Sequence, residues 1–298
     1  MKSDPTATVV VRLTGGLGNQ MFQYALGLSL TADRERTLRI DTTDVDADPK
    51  RCFELSECRP EPIRIGSLQR AAFKVARTTP LWGVIGGRRW PIYPGGPKLV
   101  LEREYSYDPS VFAVKGNIVL NGYWQSERYF LEHRGLVSRT FTWPQPTDSE
   151  SLALLARIAS SESVAVHVRR GDYALDATTN EYHGTCAPAY YAASASHFAN
   201  TLGSPRFFVF SDDPAWAASS LALPGPWEVV RVNGPDSARR DMQLMSQCKH
   251  AIIANSSFSW WAAWLTERPG KMIVAPRQWF RDRRMRNITP VPSRWLQF

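Results

Sequence analysis

Short apolar segments alternate with windows of helical periodicity in the second half of the chain. These segments lie at 164–168, 207–210, 229–232, 251–254 and 272–275. Their length and their β-branched and aromatic residues are typical of buried strands. Strands that alternate with helices in this way predict a parallel sheet covered by helices.

The first half of the chain begins with a predicted strand, a glycine-rich turn and a helix. The strand covers residues 8–13, the turn 15–20 and the helical pattern 21–32. Further strands are predicted at 37–41 and 118–121. Residues 44–115 are rich in Pro, Gly and Arg and have weak periodicity, which predicts loops and short helices.

The polar run at residues 144–150 predicts a linker or helix start between two domains. A chain of 298 residues exceeds the size at which one core usually stops growing. We therefore expect two α/β domains, residues 1–150 and 151–298.

The net charge of +8 and the pI near 9.5 indicate an anionic partner. Phosphate groups, nucleic acid and an acidic membrane surface would each be attracted by this positive charge. The four cysteines show no metal-binding spacing, so we expect reduced thiols in a cytoplasmic protein. There is no signal-peptide core and no run of about eighteen apolar residues. The basic stretches at 70–90 and 281–286 favour solvated loops, although loose association with the inner membrane is compatible with them.

Polar clusters follow three of the predicted strands in the second half. Residues 169–172 read RRGD, 211–213 read SDD and 255–257 read NSS. Ligands of open parallel sheets bind in the crevice outside the carboxyl ends of the strands. These clusters therefore predict one site at that edge of the sheet.

Arg169 and Arg170 offer two planar guanidinium groups at a strand end. Such groups hold phosphate oxygens with paired hydrogen bonds, which suits a diphosphate. The alternative is that ion pairs with Asp172 only stabilise the loop.

The segment NSSFSWWAAWL at residues 255–265 predicts a strand that turns into a helix. Hydroxyls and backbone N–H groups at such a helix start can bind an anion. Simple capping without a ligand is the alternative interpretation. We expect most of Trp260, Trp261 and Trp264 to pack in the core.

Asp212, Asp213 and Pro214 resemble a helix start more than a metal site, since Asp caps helices and Pro suits the first turn. With no Cys/His cluster, we expect no essential metal or other cofactor. Four histidines have no evident catalytic partner and receive no role: His133, His183, His197 and His250.

The N-terminal glycine-rich turn only partly matches a dinucleotide-binding fingerprint, because the third glycine is missing. Its glycines could instead allow an acceptor sugar to approach closely. Gly16, Asn19 and Gln20 are then the candidate acceptor-side residues.

Four blocks occur in the chain in this order: GGLGNQMFQYA at 15–25, HVRRGDY at 167–173, FSDD at 210–213 and NSSFSWW at 255–261. Together they resemble the α-1,2-fucosyltransferase family, glycosyltransferase family eleven, in its bacterial form. The resemblance spans residues 9–280, and 44–115 is the part without a matching motif.

The resemblance implies a GT-B architecture, in which two Rossmann-like domains with parallel sheets face a central cleft. It implies an inverting enzyme that moves L-fucose from GDP-β-L-fucose to the 2-hydroxyl of a terminal β-galactose without a metal. The N-terminal domain would hold the acceptor and the C-terminal domain GDP-fucose. Lacto-N-biose, N-acetyllactosamine, lactose and an O-antigen repeat all present a galactose, so the acceptor stays open.

The resemblance also assigns roles to residues of the second half. Arg169 falls on the arginine that binds the β-phosphate, with Arg170 beside it, and Asp241 falls on the carboxylate that contacts guanine. His167 is a further guanine-side contact. The phosphate-binding helix start corresponds to three residues: Ser256, Ser257 and Phe258.

A general base should accept the acceptor proton, and Asp172 is the first candidate. The alternative is that Asp172 only orients Arg169 or Arg170, and the departing phosphate oxygen then assists proton loss.

Three rival functions remain at the level of sequence. Fucosyltransferases of another linkage share the Arg and Ser-Ser elements. A basic nucleic-acid-binding protein would explain the charge, although the arginines in motifs lie at strand ends rather than in a basic stripe. A glycan-binding module without activity would bind the acceptor and leave the donor unchanged.

Overall fold

A computed structural model describes residues 7–33, 35–66, 81–85, 88–92, 97–232 and 238–298. The protein is an α/β protein whose chain divides into two compact units, Met1–Trp143 and Pro144–Phe298. Each unit contains one six-stranded sheet. The predicted α/β class is confirmed.

The first unit contains six strands and three α-helices within its described residues. The strands are β1 (Ala7–Arg12), β2 (Arg36–Asp41), β3 (Leu81–Ile85), β4 (Arg88–Ile92), β5 (Lys98–Leu101) and β6 (Ile118–Asn121). The helices are α1 (Leu17–Leu30), α2 (Thr43–Ala47) and α3 (Arg134–Thr140), with short 3-10 turns at Pro109–Ala113, Glu127–Tyr129 and Leu131–His133. The predicted strand–turn–helix start is therefore confirmed.

The first sheet has the order β2-β1-β6-β5-β4-β3. Its four strands β2, β1, β6 and β5 run parallel, whereas β4 and β3 are antiparallel to their neighbours. The prediction that residues 44–115 form only loops and short helices is wrong, because β3, β4 and β5 lie there. These strands are four or five residues long, too short for a periodic signal, and they form by pairing with partners elsewhere in the sheet.

Part of the basic stretch at 70–90 lies in these strands, so the loop prediction is wrong for 81–85 and 88–90. Residues 70–80 and 86–87 lie outside the described residues. Membrane contact of this stretch stays a prediction. Within the described ranges, no helix is both long enough and apolar enough to cross a membrane.

The second unit contains six strands and seven α-helices in its described part. The strands are β7 (Glu162–Val168), β8 (Pro205–Ser211), β9 (Trp227–Val229), β10 (His250–Ile252), β11 (Ile273–Ala275) and β12 (Leu296–Gln297). The helices are α4 (Ser149–Ala159), α5 (Gly171–Leu175), α6 (Ala177–His183), α7 (Pro188–Leu202), α8 (Pro214–Ser220), α9 (Ala238–Gln247) and α10 (Ser257–Leu265). A 3-10 turn covers Arg283–Met285.

The second sheet has the order β12-β11-β10-β7-β8-β9, and all its neighbouring strands are parallel. The predicted parallel sheet is confirmed. Strand β12 was missed because its two residues carry no periodic signal. The core beside the sheet consists of fully buried strand residues such as Val166 and Val209 and of helix residues such as Phe198. Burial of these apolar side chains is the main source of the unit's stability.

Helix α10 is buried on nearly every side. Trp260, Trp261 and Trp264 are completely inaccessible to solvent. Their rings pack against one another, with Trp260 stacked on Trp264 at 5.9 Å between centroids. The prediction that these tryptophans belong to the core is confirmed, and their packing makes the start of α10 a rigid support.

Candidate functional site

Three polar strand ends lie side by side in the second sheet. Strand β7 sits between β10 and β8, so the segments that follow these three strands emerge at one edge. In the register of β7 with β8, Val168 lies opposite Ser211. Arg169 and Asp212 are consequently the first residues beyond the paired region on each strand.

Arg169 is held by two carboxylates. Its Nη2 donates to Oδ1 of Asp172 at 2.5 Å, and its Nη1 lies 3.0 Å from Oδ2 of Asp212. The guanidinium also lies over the ring of Tyr173, 5.2 Å from its centroid. Arg169 is partly exposed and strongly oriented, which are the properties that an anion-binding arginine needs.

Asp212 belongs to a cluster that the sequence placed at the site, but its contacts with Arg169 and Arg170 were not predicted. Its Oδ1 accepts a hydrogen bond from the backbone N–H of Arg170 at 2.8 Å, in addition to the contact of Oδ2 with Arg169. A signal was present, because parallel neighbouring strands that end in register place the residues after them together. Asp213 instead caps α8 by accepting from the N–H of Trp216 at 3.0 Å, and Pro214 opens the helix. The predicted helix start is therefore confirmed for Asp213.

Gly171 allows the close approach of Asp212. A Cβ atom at this position would lie 2.6 Å from Oδ2 of Asp212, closer than a Cβ contact permits. The glycine in the RRGD sequence thus leaves room for a carboxylate from the next strand, which a larger residue would displace.

Arg170 points to a different partner. Its guanidinium lies over the ring of Trp216, 4.1 Å from the centroid, and its Nε is 3.5 Å from Oδ2 of Asp213. The guanidinium of Arg169, by contrast, contacts both Asp172 and Asp212. The two arginines predicted as a phosphate-binding pair therefore have different surroundings.

His167 connects the end of β7 to the start of α10. Its ring lies 5.3 Å from the ring of Phe258 between centroids. His167 is only 5% exposed, and its Nδ1 finds no hydrogen-bond partner among the described residues. Burial, together with the charge of Arg169, lowers the pKa of His167 to about 3. The imidazole is therefore neutral at physiological pH.

The start of α10 brings the predicted serines to the same region. Ser256 is the N-cap residue, and its side chain makes no capping hydrogen bond. Ser257 opens the helix and Phe258 contacts His167, so the positive end of the helix dipole lies near the end of β7. The structure thus brings the start of α10, through Phe258, against His167, two residues before Arg169.

Asn255, which follows β10, is hydrogen-bonded to two other segments of the chain. Its Nδ2 donates to the carbonyl oxygens of His183 at 2.9 Å, Gly184 at 3.3 Å and Trp279 at 3.1 Å. One buried amide therefore holds two other chain segments against the end of β10.

His183 had no predicted role and lies close to the site. Its ring stacks on Tyr173, 4.6 Å apart and inclined by 9°. The pKa of His183 is lowered to about 4, chiefly by burial, with Arg169 also lowering it and Asp172 opposing the shift. No local pattern indicated a role for His183, because its place near Arg169 depends on how the short helices after β7 fold back on each other.

Asp241 lies in the first turn of α9 and is half-buried. Helix α9 packs against α10, so Asp241 and the site helix belong to neighbouring elements. Its predicted contact with guanine stays a prediction.

The predicted acceptor-side residues lie in the first unit, in and after the turn between β1 and α1. The side chain of Gln20 is fully buried and bound to the backbone: its Nε2 donates to the carbonyls of Gly15 and Cys52, both at 2.8 Å, and its Oε1 accepts from the N–H of Glu54 at 3.0 Å. Asn19 is half-buried, and its Oδ1 accepts from Nε2 of Gln125 at 2.9 Å.

Gly16 precedes α1, and Gly15 adopts the left-handed conformation with φ of +75°. A Cβ at Gly15 would lie 2.5 Å from Nδ2 of Asn19. Gln20 therefore holds the turn together, whereas Asn19 and Gly16 remain the better candidates for contact with a sugar.

Among the described residues, no group of three or more His, Cys, Asp or Glu side chains has the arrangement of a metal site. The site of the second unit instead combines an oriented arginine with a helix N-terminus. Both favour an anion with several oxygen atoms, and a phosphate group is the standard ligand of such a pair.

Comparison with known proteins agrees with this chemistry. The family described as Glycosyl transferase family 11 matches residues 104–296. The chain is 33% identical over 291 residues to an Escherichia coli protein named Alpha-1,2-colitosyltransferase, covering 97% of this chain and 98% of the relative. It is 27% identical over 263 residues to Galactoside 2-alpha-L-fucosyltransferase Sec1 of Mus musculus, covering 86% of this chain and 64% of the relative.

Among solved structures, the chain is similar to a mutant of Arabidopsis thaliana FUT1 in complex with GDP. The TM-score is 0.52 at 12% sequence identity, and the match covers 92% of this chain and 71% of that chain. This similarity concerns the fold alone and confirms the predicted GT-B type of α/β fold.

Proposed function

Because the chain belongs to glycosyl transferase family 11, we propose that it is an inverting fucosyltransferase acting on galactosides. It would transfer L-fucose from GDP-β-L-fucose to the 2-hydroxyl of a terminal β-galactose and form an α-1,2 linkage. One relative is named Alpha-1,2-colitosyltransferase and another Galactoside 2-alpha-L-fucosyltransferase. Both names give position 2 as the site of transfer, and the second also names fucose as the sugar and a galactoside as the acceptor.

The observation that carries the proposal is that the end of β7 offers the oriented Arg169, while His167 of the same strand packs against Phe258 at the start of α10. In a displacement at the anomeric carbon, negative charge develops on the departing diphosphate. An oriented guanidinium and a helix N-terminus stabilise that charge without reorganising during the reaction. Arg169 would bind the β-phosphate, and Ser256, Ser257 and Phe258 would supply the helix start.

The remaining donor residues would recognise the nucleoside. His167 is neutral and buried against Phe258, so it would contact guanine by hydrogen bonding rather than by charge. Asp241 would accept hydrogen bonds from guanine nitrogen atoms, and Arg170 would complete the positive environment of the phosphates.

Asp172 would act mainly through Arg169. Its Oδ1 already accepts a hydrogen bond from Arg169 at 2.5 Å, so its first role is to orient the arginine. Because inversion places the departing diphosphate on the opposite face of the sugar ring, the acceptor proton would reach a phosphate oxygen through bridging water as the glycosidic bond forms. In this scheme Asp172 is a positioning residue, and the enzyme needs no separate base from this strand end.

Colitose is a second candidate for the transferred sugar. The E. coli relative at 33% identity bears that name. Colitose differs from fucose by the absence of the 3-hydroxyl, so the two donors would share the GDP contacts described above. A site that hydrogen-bonds the 3-hydroxyl would discriminate strongly against colitose, whereas one without such a contact would accept both.

The test is GDP release with EDTA present, in which GDP-fucose and GDP-colitose are each offered with lactose, N-acetyllactosamine and lacto-N-biose. A 2-deoxygalactose analogue of lactose is the matched acceptor control. Release with a disaccharide but not with the 2-deoxy analogue supports transfer to the 2-hydroxyl without a metal. The donor that gives the higher kcat/KM is the one that the protein uses.

Other outcomes would select the rival functions. Transfer to the 2-deoxy analogue would indicate another linkage. Salt-dependent oligonucleotide binding without GDP release would favour a nucleic-acid-binding protein. Binding of a disaccharide without turnover of either donor would favour a glycan-binding module.

A further inference from the structure

The guanidinium of Arg169 has a third contact besides its two carboxylates. Its Cζ lies 5.2 Å from the centroid of the Tyr173 ring, within the distance of about 6 Å at which an aromatic ring attracts a cation. Two contacts alone would leave the guanidinium free to tilt about the line that joins Asp172 and Asp212. A third contact, made by a ring rather than by a carboxylate, limits that tilt.

The ring of Tyr173 is itself supported by His183. The centroids of the two rings are 4.6 Å apart, and the rings are inclined by only 9°. This is the geometry of a stacked aromatic pair. Both residues are only half-buried, so the stack, rather than complete enclosure in the core, restricts the rotamers of Tyr173 and His183.

His183 contacts two further rings. Its centroid lies 5.7 Å from that of Phe280 and 4.7 Å from that of Tyr182. Tyr182 and Phe280 also contact each other, at 5.3 Å between centroids. Tyr173, Tyr182, His183 and Phe280 thus form an aromatic cluster, whose members come from α5, α6 and the segment after β11.

The buried amide of Asn255 holds the aromatic cluster to the end of β10. Its Nδ2 donates to the backbone carbonyl of His183 and to that of Trp279, the residue before Phe280. The backbone is therefore fixed at two points of the cluster by one side chain. Contacts run without a break from the end of β10, through His183 and Tyr173, to Arg169 at the end of β7.

The aromatic cluster adds no charge next to Arg169. Burial is the chief reason that the pKa of His183 lies at about 4, so the imidazole is neutral at physiological pH. A charged imidazole stacked on Tyr173 would repel the guanidinium. The neutral ring of His183 supports Tyr173 without this repulsion.

We propose that Tyr173 and His183 are positioning residues of the donor site, whose stacked rings hold the guanidinium of Arg169 in the orientation that receives a phosphate. The inference rests on the proposed function, which identifies that phosphate as part of a nucleoside diphosphate. It adds to Asp172 and Asp212 a support that depends on ring shape rather than on charge. It also gives His183 a role that no sequence motif indicates.

The test uses variants that separate the ring from the rest of each side chain. Tyr173→Phe and His183→Phe keep a flat ring, whereas Tyr173→Leu and His183→Leu replace it with an aliphatic group. The matched control is His197→Leu, because His197 is a half-buried histidine of the same unit whose ring packs against Phe198 and Phe298. Urea unfolding establishes that each variant is folded under the conditions of measurement.

Two measurements on the full chain need no acceptor. The NMR order parameter of the Arg169 Nε–H bond reports how tightly the guanidinium is held, and Arg169→Lys assigns its signal. Calorimetric titration with GDP reports the affinity of the site for the diphosphate. If the aromatic cluster only stabilised the fold, both quantities would stay unchanged in every folded variant.

Both leucine variants should lower the Arg169 order parameter from about 0.85, typical of a rigid group, to below about 0.6. Tyr173→Leu should weaken GDP binding by about 5- to 10-fold, as the loss of a partly desolvated cation–π contact implies, and His183→Leu by about 3- to 5-fold. Both phenylalanine variants and His197→Leu should stay within about 2-fold of the wild-type GDP affinity.

The inference is overturned if the folded leucine variants keep the wild-type order parameter and GDP affinity, or if the phenylalanine variants lose as much as the leucine variants. If Tyr173→Leu does not fold, the comparison of His183→Leu with His183→Phe decides. The order parameter is measured without a donor. Absence of GDP release from any donor would therefore count against the proposed function, whereas loss of Arg169 order in the leucine variants would still support the positioning role.

Discussion

Asp212 places its Oδ2 3.0 Å from Nη1 of Arg169, across the ends of two adjacent parallel strands. With Asp172 on the other side, the arginine has a carboxylate at each terminal nitrogen. Two carboxylates oppose the attraction of a phosphate for this arginine but determine where its guanidinium points. The arrangement favours orientation over maximal positive charge, and orientation is what electrostatic stabilisation of a departing group requires.

Replacement of Arg169 should abolish most of the transfer activity. Arg169→Ala removes the charge that would stabilise the departing diphosphate, so kcat should fall by about 10²–10³-fold. GDP release from the donor measures this change. Arg206→Ala is a suitable control, since Arg206 lies near the opposite end of β8 and pairs with Glu228. Full activity in Arg169→Ala would contradict the donor-site assignment.

Asp212→Asn should lower activity without removing any positive charge. The amide cannot accept from both the Arg170 N–H and Arg169 as the carboxylate does, so the guanidinium loses part of its orientation. We expect kcat/KM to fall by about 10-fold or more. Asp213→Asn is the matched control, because Asn caps helices as well as Asp does, and it should stay within about 2-fold of wild type. Equal effects of the two substitutions would contradict the assignment of Asp212.

Gly171→Ala should disturb the same ion pair through packing. Its Cβ would meet Oδ2 of Asp212 at 2.6 Å and displace the carboxylate from Arg169. Activity should therefore fall as in Asp212→Asn, and the double variant should lose little more than either single variant. Gly66→Ala is the control, since its Cβ would have no neighbour within 4 Å. Additive losses in the double variant would argue against a shared mechanism.

The second unit should lose stability as the pH falls from about 6.5 towards 3. In the folded protein the pKa of His167 is lowered to about 3 and that of His183 to about 4, from an ordinary value of 6.5. Between these values the unfolded state binds more protons than the folded state, so the free energy of unfolding falls with falling pH. Each buried histidine contributes up to about 1.4 kcal/mol per pH unit in this window.

Urea unfolding at pH 7, 5.5 and 4.5 measures this dependence. His167→Gln should reduce the slope of the unfolding free energy against pH, since glutamine does not titrate. The matched control is His197→Gln, at a half-buried histidine whose ring packs on Phe298. An unchanged slope in His167→Gln would show that the buried imidazole is not a source of the acid sensitivity.

Replacement of Gln20 should lower the stability of the protein, whereas replacement of Asn19 should weaken binding of the acceptor. Gln20→Ala leaves the carbonyls of Gly15 and Cys52 and the N–H of Glu54 without their partner, so it should cost about 3 kcal/mol of stability. Asn19→Ala should cost less than about 1 kcal/mol and should raise the acceptor KM instead. Thermal unfolding and acceptor titration separate the two effects. The reverse pattern would make Gln20 the sugar-binding residue.

The sequence by itself determined the elements whose signals are local. The β1–α1 unit, strand β6 and the core strands of the second sheet follow from apolar periodicity, glycine position and strand length, which depend on neighbours along the chain. The rule that ligands bind at the carboxyl ends of parallel strands then predicted a site at residues 169–172, 211–213 and 255–257. The cap at Asp213 and the buried tryptophans of α10 were predictable for the same reason.

Only the tertiary structure decided which polar residues pair with one another. The contact of Asp212 with Arg169, the packing of His183 against Phe280 and the hydrogen bond from the Trp124 N–H to Glu102 join separate segments of the chain. Strands β3 to β5 likewise exist through pairing with partners that periodicity does not reveal. Local patterns determine whether a segment forms a helix, a strand or a turn. Pairing and burial depend on the packed sheet, where a side chain's environment is set by residues far away in sequence.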